Sequence, residues 1–174
     1  ATTYECFGID YKNKCVRGID EYYYSGREVG KQKSPSEYAL DFKKFINRIK
    51  EETGLIVRYV FIDPSAKGLA EEIKKQCPEI IIRDAKNDVA LGISRVQKLL
   101  SLCSLFISPR QKNLIKEMYL YEYDKDQLDK GKEIPIKKND HCMDALRYLV
   151  MGIWKLIRQI IPILQSLEKG DDND

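Results

Sequence analysis

Apolar positions alternate or run in short blocks through most of this chain, and polar, glycine or proline residues separate them. Tyr4 to Ile9 reads as a strand, Asp10 to Lys14 as a turn, and Cys15 to Tyr24 as a second strand, which together predict a β-hairpin. Ser25 to Ser34 is polar and predicts an exposed connection. Ser34-Pro35-Ser36-Glu37 carries a helix-start signal: serine at the cap, proline at the first helical position, and glutamate placed to close a capping box. Tyr38, Phe42, Phe45, Ile46 and Ile49 follow helical spacing, and Gly54 ends that helix.

Leu55 to Ile62 is a nearly continuous apolar, β-branched run, the pattern of a buried parallel strand. Gly68 to Lys75 predicts a short helix, Glu79 to Arg83 a strand, Val89 to Leu102 a helix, Ser104 to Ile107 a strand, and Asn113 to Leu120 a helix after Pro109. Tyr121 to Lys138 is charged and contains Gly131 and Pro135, so it reads as a surface loop or hairpin. A long apolar helix begins near Asn139 and runs past Trp154, with Pro162 set to kink or end it. Glu168 to Asp174 is acidic and predicts disorder. Strands and helices alternate after an antiparallel start. The pattern predicts an α/β sandwich with a mixed sheet, helices on both faces and a long C-terminal helix. At 174 residues one domain is expected, over residues 1–168, with 169–174 as its tail.

Composition changes this picture little. Apolar residues make up 43% and charged residues 33% of the chain, and the formal charge is only +3. A polyanion would have to be held by local patches, not by net charge. The five cysteines are odd in number and widely spaced, with no CxxC pair, and only one histidine is present, which argues against a zinc cage. Cys77 and Cys103 lie in apolar runs and read as reduced core residues, so a cytoplasmic location is expected. No membrane span, no GxxxxGK[ST] loop and no Gly-x-Ser-x-Gly elbow is present.

Candidate chemistry concentrates at two places. The single histidine, His141, lies three residues before Asp144 at the start of the long helix, so imidazole and carboxylate share one face. Asn139 or Asp140 would cap that helix. Asp63 follows the buried strand, at the edge where open α/β sheets bind ligands. Each has a plainer reading: Asp63 as the cap of the next turn, and His141 as a structural or surface residue. Together, carboxylates from a sheet edge and a helix suit hard cations such as Mg²⁺ or Mn²⁺, and paired cations serve phosphodiester displacement. Lys86, beside Asn87 and Asp88, could meet a phosphate. Lys130, Lys132, Lys137 and Lys138 could grip a nucleic-acid backbone or simply be solvated. Asp10 and Asp20 read as turn and solvated strand-edge residues.

Four segments, in order, resemble the nuclease domain of the phage DNA-packaging terminase large subunit. They are Asp20 to Arg27, Phe61-Ile62-Asp63-Pro64-Ser65-Ala66, Ala85 to Val89 with Gly92-Ile93, and Asn139-Asp140-His141 with Asp144-Ala145 and Arg147-Tyr148. The resemblance implies an RNase H-like fold. It implies metal-dependent endonucleolytic cleavage of double-stranded DNA concatemers during packaging, in the host cytoplasm. Asp63 and Asp144 would then hold the metals, with His141 ligating or assisting. An ATPase domain upstream, a small terminase subunit and a portal would be partners. The chain departs from the family at its start. The family's first catalytic aspartate lies on a strand just before an Asn/Pro-Thr-Thr stretch, and Ala1-Thr2-Thr3-Tyr4 is similar to that stretch's tail. The strand with that aspartate is therefore expected to be missing, leaving weaker metal binding and a seam in the sheet that Leu149 to Leu167 could help cover. Two alternatives follow: a catalytically dead DNA-binding or packaging-assembly module of the same fold, or another RNase H-like nuclease such as a junction resolvase.

Overall fold

Strands β1 (Thr2–Asp10) and β2 (Cys15–Tyr24) pair antiparallel around a turn in which Asp10 accepts hydrogen bonds from Asn13 and Arg17. The register shifts between Cys6 and Phe7, leaving Ile19 of β2 as the extra residue. Strand alternation sends Tyr4 and Cys6 into one core cluster and Phe7 into another. The fold is a computed structural model in which residues 1–166 are described; the predicted acidic tail at Glu168 to Asp174 lies outside the described residues.

The Ser25 to Ser34 connection contains one short helical turn, α1 (Gly26–Val29), capped by Ser25. Helix α2 (Pro35–Thr53) starts where expected. The Ser34 hydroxyl accepts from the Glu37 amide at 3.3 Å, and the Glu37 carboxylate accepts from the Ser34 amide at 2.7 Å. Gly54 closes it at φ 72°, a left-handed conformation that glycine adopts without strain. Phe42, Phe45, Ile46 and Ile49 are its buried stripe.

Strand β3 (Tyr59–Ile62) is half as long as the apolar run predicted. Leu55 and Ile56 precede it at 50% and 61% exposure, because they border an open cavity and have no strand to pair with. A crossover through α3 (Lys67–Gln76) leads to β4 (Ile81–Asp84), parallel to β3. Helix α4 (Val89–Ser101) and β5 (Leu105–Phe106) follow, and β5 pairs parallel with β2. Cys103 is exposed, not buried: it turns the chain at φ 49° between α4 and β5. Asp20 also departs from expectation. It is buried and bound by Arg48 at 2.7 Å and Arg110 at 3.0 Å.

Helix α5 (Lys112–Leu120) precedes an excursion closed by a bridge between Tyr123 and Pro135, and the short helix α6 (Lys125–Leu128) lies within it. Helix α7 (His141–Ile160) ends two residues before Pro162. Among the described residues no helix is long and apolar enough to cross a membrane.

The strands form two sheets, ordered β1-β2-β5 and β3-β4. Helices α2 and α3 cover one side through a cluster that includes Phe42, Phe45, Ile73 and Ile80. Helices α4, α5 and α7 cover the other through Leu99, Leu114, Leu146 and Trp154. Helix α7 packs against both β1 and β3 and so spans the seam between the sheets. At Gly152 it lies so close to β3 that an added Cβ would fall 2.2 Å from the Phe61 ring.

Candidate metal and phosphate site

The first turn of α7 is held from outside the helix. Asp140 occupies the cap position but makes no side-chain cap bond, contrary to the sequence expectation. Glu117 of α5, only 5% exposed, supplies the cap instead: its carboxylate accepts from the amides of Cys142 at 2.7 Å and Met143 at 3.1 Å. The negative charge also faces the positive end of the helix dipole. Burial raises the Glu117 pKa above the usual carboxylate range, and the two amides oppose that rise.

With α7 fixed, its side chains fall in order along one cavity wall. His141 begins the helix and is exposed, and its Nε2 lies 2.9 Å from the Ala1 amino group. One turn later Asp144 is gripped by the buried Arg147 guanidinium, an i,i+3 pair. Tyr148, the next residue, donates its hydroxyl to Asp63 Oδ2 at 2.8 Å. The other oxygen of Asp63 accepts from the Ser65 amide at 2.8 Å, so the plain turn-capping role is real but uses only one oxygen. Hydrogen bonds from Ser65, and then from Tyr148, hold the Asp63 carboxyl below its ordinary range despite partial burial. Burial, the Asp63 bond and nearby carboxylates push the Tyr148 phenol well up.

Asp63, His141, Asp144 and Tyr148 all line one cavity of about 1500 Å³. The three candidate ligands share its wall without closing on a point. Among the described residues, the one group of three such side chains with ligand atoms within 4.8 Å of one another is Glu5, Glu21 and Cys142. That cluster is a structural knot. Glu21 accepts from the Asn113 amide and side chain and from the Leu114 amide, capping α5. Glu5 accepts from Gln111 and Thr3, both at 2.9 Å, and burial raises its pKa to about 7.

The lysines proposed for a phosphate backbone lie elsewhere. Lys86 is exposed on the β4–α4 connection, and Lys130, Lys132, Lys137 and Lys138 are exposed between α6 and α7; none lines the cavity. The basic groups on its wall are Arg17, Arg58, Arg83 and Lys155, which the sequence pattern did not single out. Arg147 and Tyr148 sit three and four residues after Asp144, so helical spacing could have found them. Glu117 carried no such signal, since it sits in a separate helix.

Residues 1–151 match the family profile described as the terminase RNase H-like domain. No curated protein matches the chain. Among solved structures, a large terminase from a thermophilic bacteriophage, in complex with ADP, is 33% identical with a TM-score of 0.77. The match covers 87% of this chain and 36% of that one, so the present chain spans about a third of that relative. The nuclease domain of the bacteriophage SPP1 large terminase, with bound Mn, is 22% identical with a TM-score of 0.54, over 85% of this chain and 76% of that one. The large terminase nuclease from thermophilic phage G20c, with bound cobalt, is 16% identical with a TM-score of 0.50, over 84% and 79%. At these lower identities the last two speak to the fold alone, which is RNase H-like.

Proposed function

The chain belongs to the terminase RNase H-like domain family, and from that premise we propose that it cleaves double-stranded DNA by metal-dependent phosphodiester hydrolysis. The observation that carries this reading is that Asp63, from the end of β3, and Asp144, from the first turn of α7, line one cavity with His141 beside them. The two carboxylates come from separate elements and are braced by neighbours on the same helix, Tyr148 and Arg147.

The donor set fits a hard divalent cation, Mg²⁺ or Mn²⁺, by its chemistry: carboxylate oxygens, one of them kept ionised, and an accessible imidazole. Because the ligand atoms do not close on a point, waters or phosphate oxygens would complete the coordination, as such ions prefer. When bound, divalent cations activate a water and neutralise charge at the reacting phosphate. Asp63 and Asp144 would hold them. Tyr148 and Arg147 fix how far each carboxylate can turn. His141, at the exposed start of α7, is placed to take or give a proton. Arg17, Arg58, Arg83 and Lys155 on the cavity wall, and more remotely Lys86, Lys130, Lys132, Lys137 and Lys138, would meet backbone phosphates.

On this reading the biological act is the cutting of DNA concatemers during phage packaging, within a longer protein bearing an ATPase domain and beside a small subunit and portal in the host cytoplasm. A second reading, a catalytically dead DNA-binding module, is favoured by the failure of the three ligand atoms to converge. Incubating the chain with supercoiled plasmid in Mn²⁺ separates the two. Nicking that disappears in Asp63→Ala and Asp144→Ala supports the enzyme. DNA binding with no nicking at any Mn²⁺ concentration supports the module.

A further inference from the structure

We infer that Tyr121 is a positioning residue of the candidate metal site: its hydroxyl is a second acceptor for the Arg147 guanidinium and takes that group over when Asp144 turns to a divalent cation. The inference rests on the metal reading above. Arg147 is 2% exposed, and its Nη2 donates to Asp144 Oδ1. Among the described residues its buried Nε and Nη1 have no hydrogen-bond partner. The same holds for the buried hydroxyl oxygen of Tyr121. A buried guanidinium thus depends on one carboxylate, and a hydroxyl beside it is unused. Their closeness shows in the charge environment of the phenol: burial pushes the Tyr121 pKa up, and the Arg147 guanidinium pulls it back down.

The surroundings hold the guanidinium where it is. The stem of Arg147 packs on the first turn of α4, where a Cβ added to Gly92 would fall 3.3 Å from its Cδ. The guanidinium carbon lies 5.6 Å from the centre of the Tyr148 ring. Asp144 is freer, for its side chain is 31% exposed and lines the cavity. A cation on Asp144 and the guanidinium are like charges sharing one anion, so the ion pair weakens as the metal binds. Arg147 can neither follow Asp144 nor reach water, and a buried charge left without a partner is strongly destabilising. An acceptor must therefore already stand beside it. Helix α5 supplies one in register with its other contact. Glu117 caps the Cys142 and Met143 amides. One turn further along, at the residue that ends α5, Tyr121 meets Arg147, itself one turn further along α7. A hydroxyl can accept from the guanidinium without adding a negative charge, so it does not compete with Asp144 for the metal.

The test titrates Mn²⁺ into the full chain by calorimetry and measures melting temperatures in EDTA. Tyr121→Phe should weaken Mn²⁺ binding about tenfold, the size of a hydrogen bond to a charged group. In EDTA the same variant should melt at or above the parent, because it loses a buried hydroxyl that has no partner there. With Arg147→Met no guanidinium is left to strand, so adding Tyr121→Phe to that variant should change the Mn²⁺ affinity less than about twofold. Should Arg147→Met not fold, the split between metal-free melting and Mn²⁺ affinity in Tyr121→Phe decides alone. The inference is overturned if Tyr121→Phe binds Mn²⁺ as the parent does. It is also overturned if the variant melts lower in EDTA, which marks Tyr121 as a structural support, or if the tenfold loss persists beside Arg147→Met. A parent chain that binds no Mn²⁺ contradicts the metal reading itself, and this inference with it. A parent that binds while Tyr121→Phe binds equally well contradicts this inference alone.

Discussion

Tyr148 and Arg147 show how a site can be tuned by residues that make no chemistry themselves. Each braces one candidate carboxylate, Asp63 or Asp144, from the same turn of α7. Tyr148→Phe removes a donor from Asp63 Oδ2 and leaves the ring in place. We expect a stability loss of about 1 kcal/mol by thermal melting, the usual net value of a hydrogen bond, together with several-fold weaker Mn²⁺ binding by calorimetry. The lost bond helps keep the folded Asp63 pKa low. Its stabilisation is therefore present above the unfolded carboxylate pKa and fades as pH falls through the folded value, so the variant and the parent should converge in acid. Glu5 has the opposite sign. Burial raises its pKa from 4.5 to about 7, so the folded state favours the neutral acid. Stability from this group is fully present below about 4.5 and is lost as pH rises through about 7, by at most about 3 kcal/mol. Glu5→Gln keeps a polar side chain for Gln111 and Thr3 but cannot titrate. Melting temperatures measured from pH 5 to 8 should fall for the parent and fall less for the variant, in which Glu117, also raised by burial, still titrates.

At the scale of elements, start signals written next to one another were legible. The capping box at Ser34 and Glu37 forms as the spacing predicts, and helical periodicity located α2, α4 and α7 to within a few residues. Signals that depend on a distant partner were not. The sequence placed a cap for α7 at Asn139 or Asp140, yet a glutamate from α5 supplies it, a pairing that exists only after folding. Leu55 to Arg58 looked like buried strand because apolar patterning reports what a residue could cover, and here the neighbouring edge is open. Glu117→Ala tests the cap. Two amides and the helix dipole lose their partner, so about 1–2 kcal/mol of stability should go. Hydrogen exchange at Cys142 and Met143 should accelerate while amides near Trp154 stay protected. Uniform acceleration along α7 would show that Glu117 supports the whole helix, not its first turn.

For the molecule as a whole, the alternation of strands and helices was enough to read a mixed α/β architecture with a long closing helix. Asp63, His141 and Asp144 could be nominated from strand ends and helical spacing alone. Their arrival on one cavity wall depends on α7 crossing both sheets, which needs Gly152 to pass against Phe61, and no local pattern announces such a contact. The division into two sheets agrees with the seam that the family resemblance led one to expect; apolar patterning alone did not carry it, because pairing partners are a property of the assembled fold. The proposed chemistry rests on that assembled wall. Anomalous diffraction from crystals of this chain soaked in Mn²⁺ tests it most directly. The account predicts a peak bounded by the Asp63 and Asp144 carboxylates, with metal–oxygen distances of about 2.1 Å and Asp144 turned from Arg147 towards the ion. A cavity without a peak, Asp63 still bound to Ser65 and Tyr148, and Mn²⁺ found instead among Glu5, Glu21 and Cys142 would contradict it.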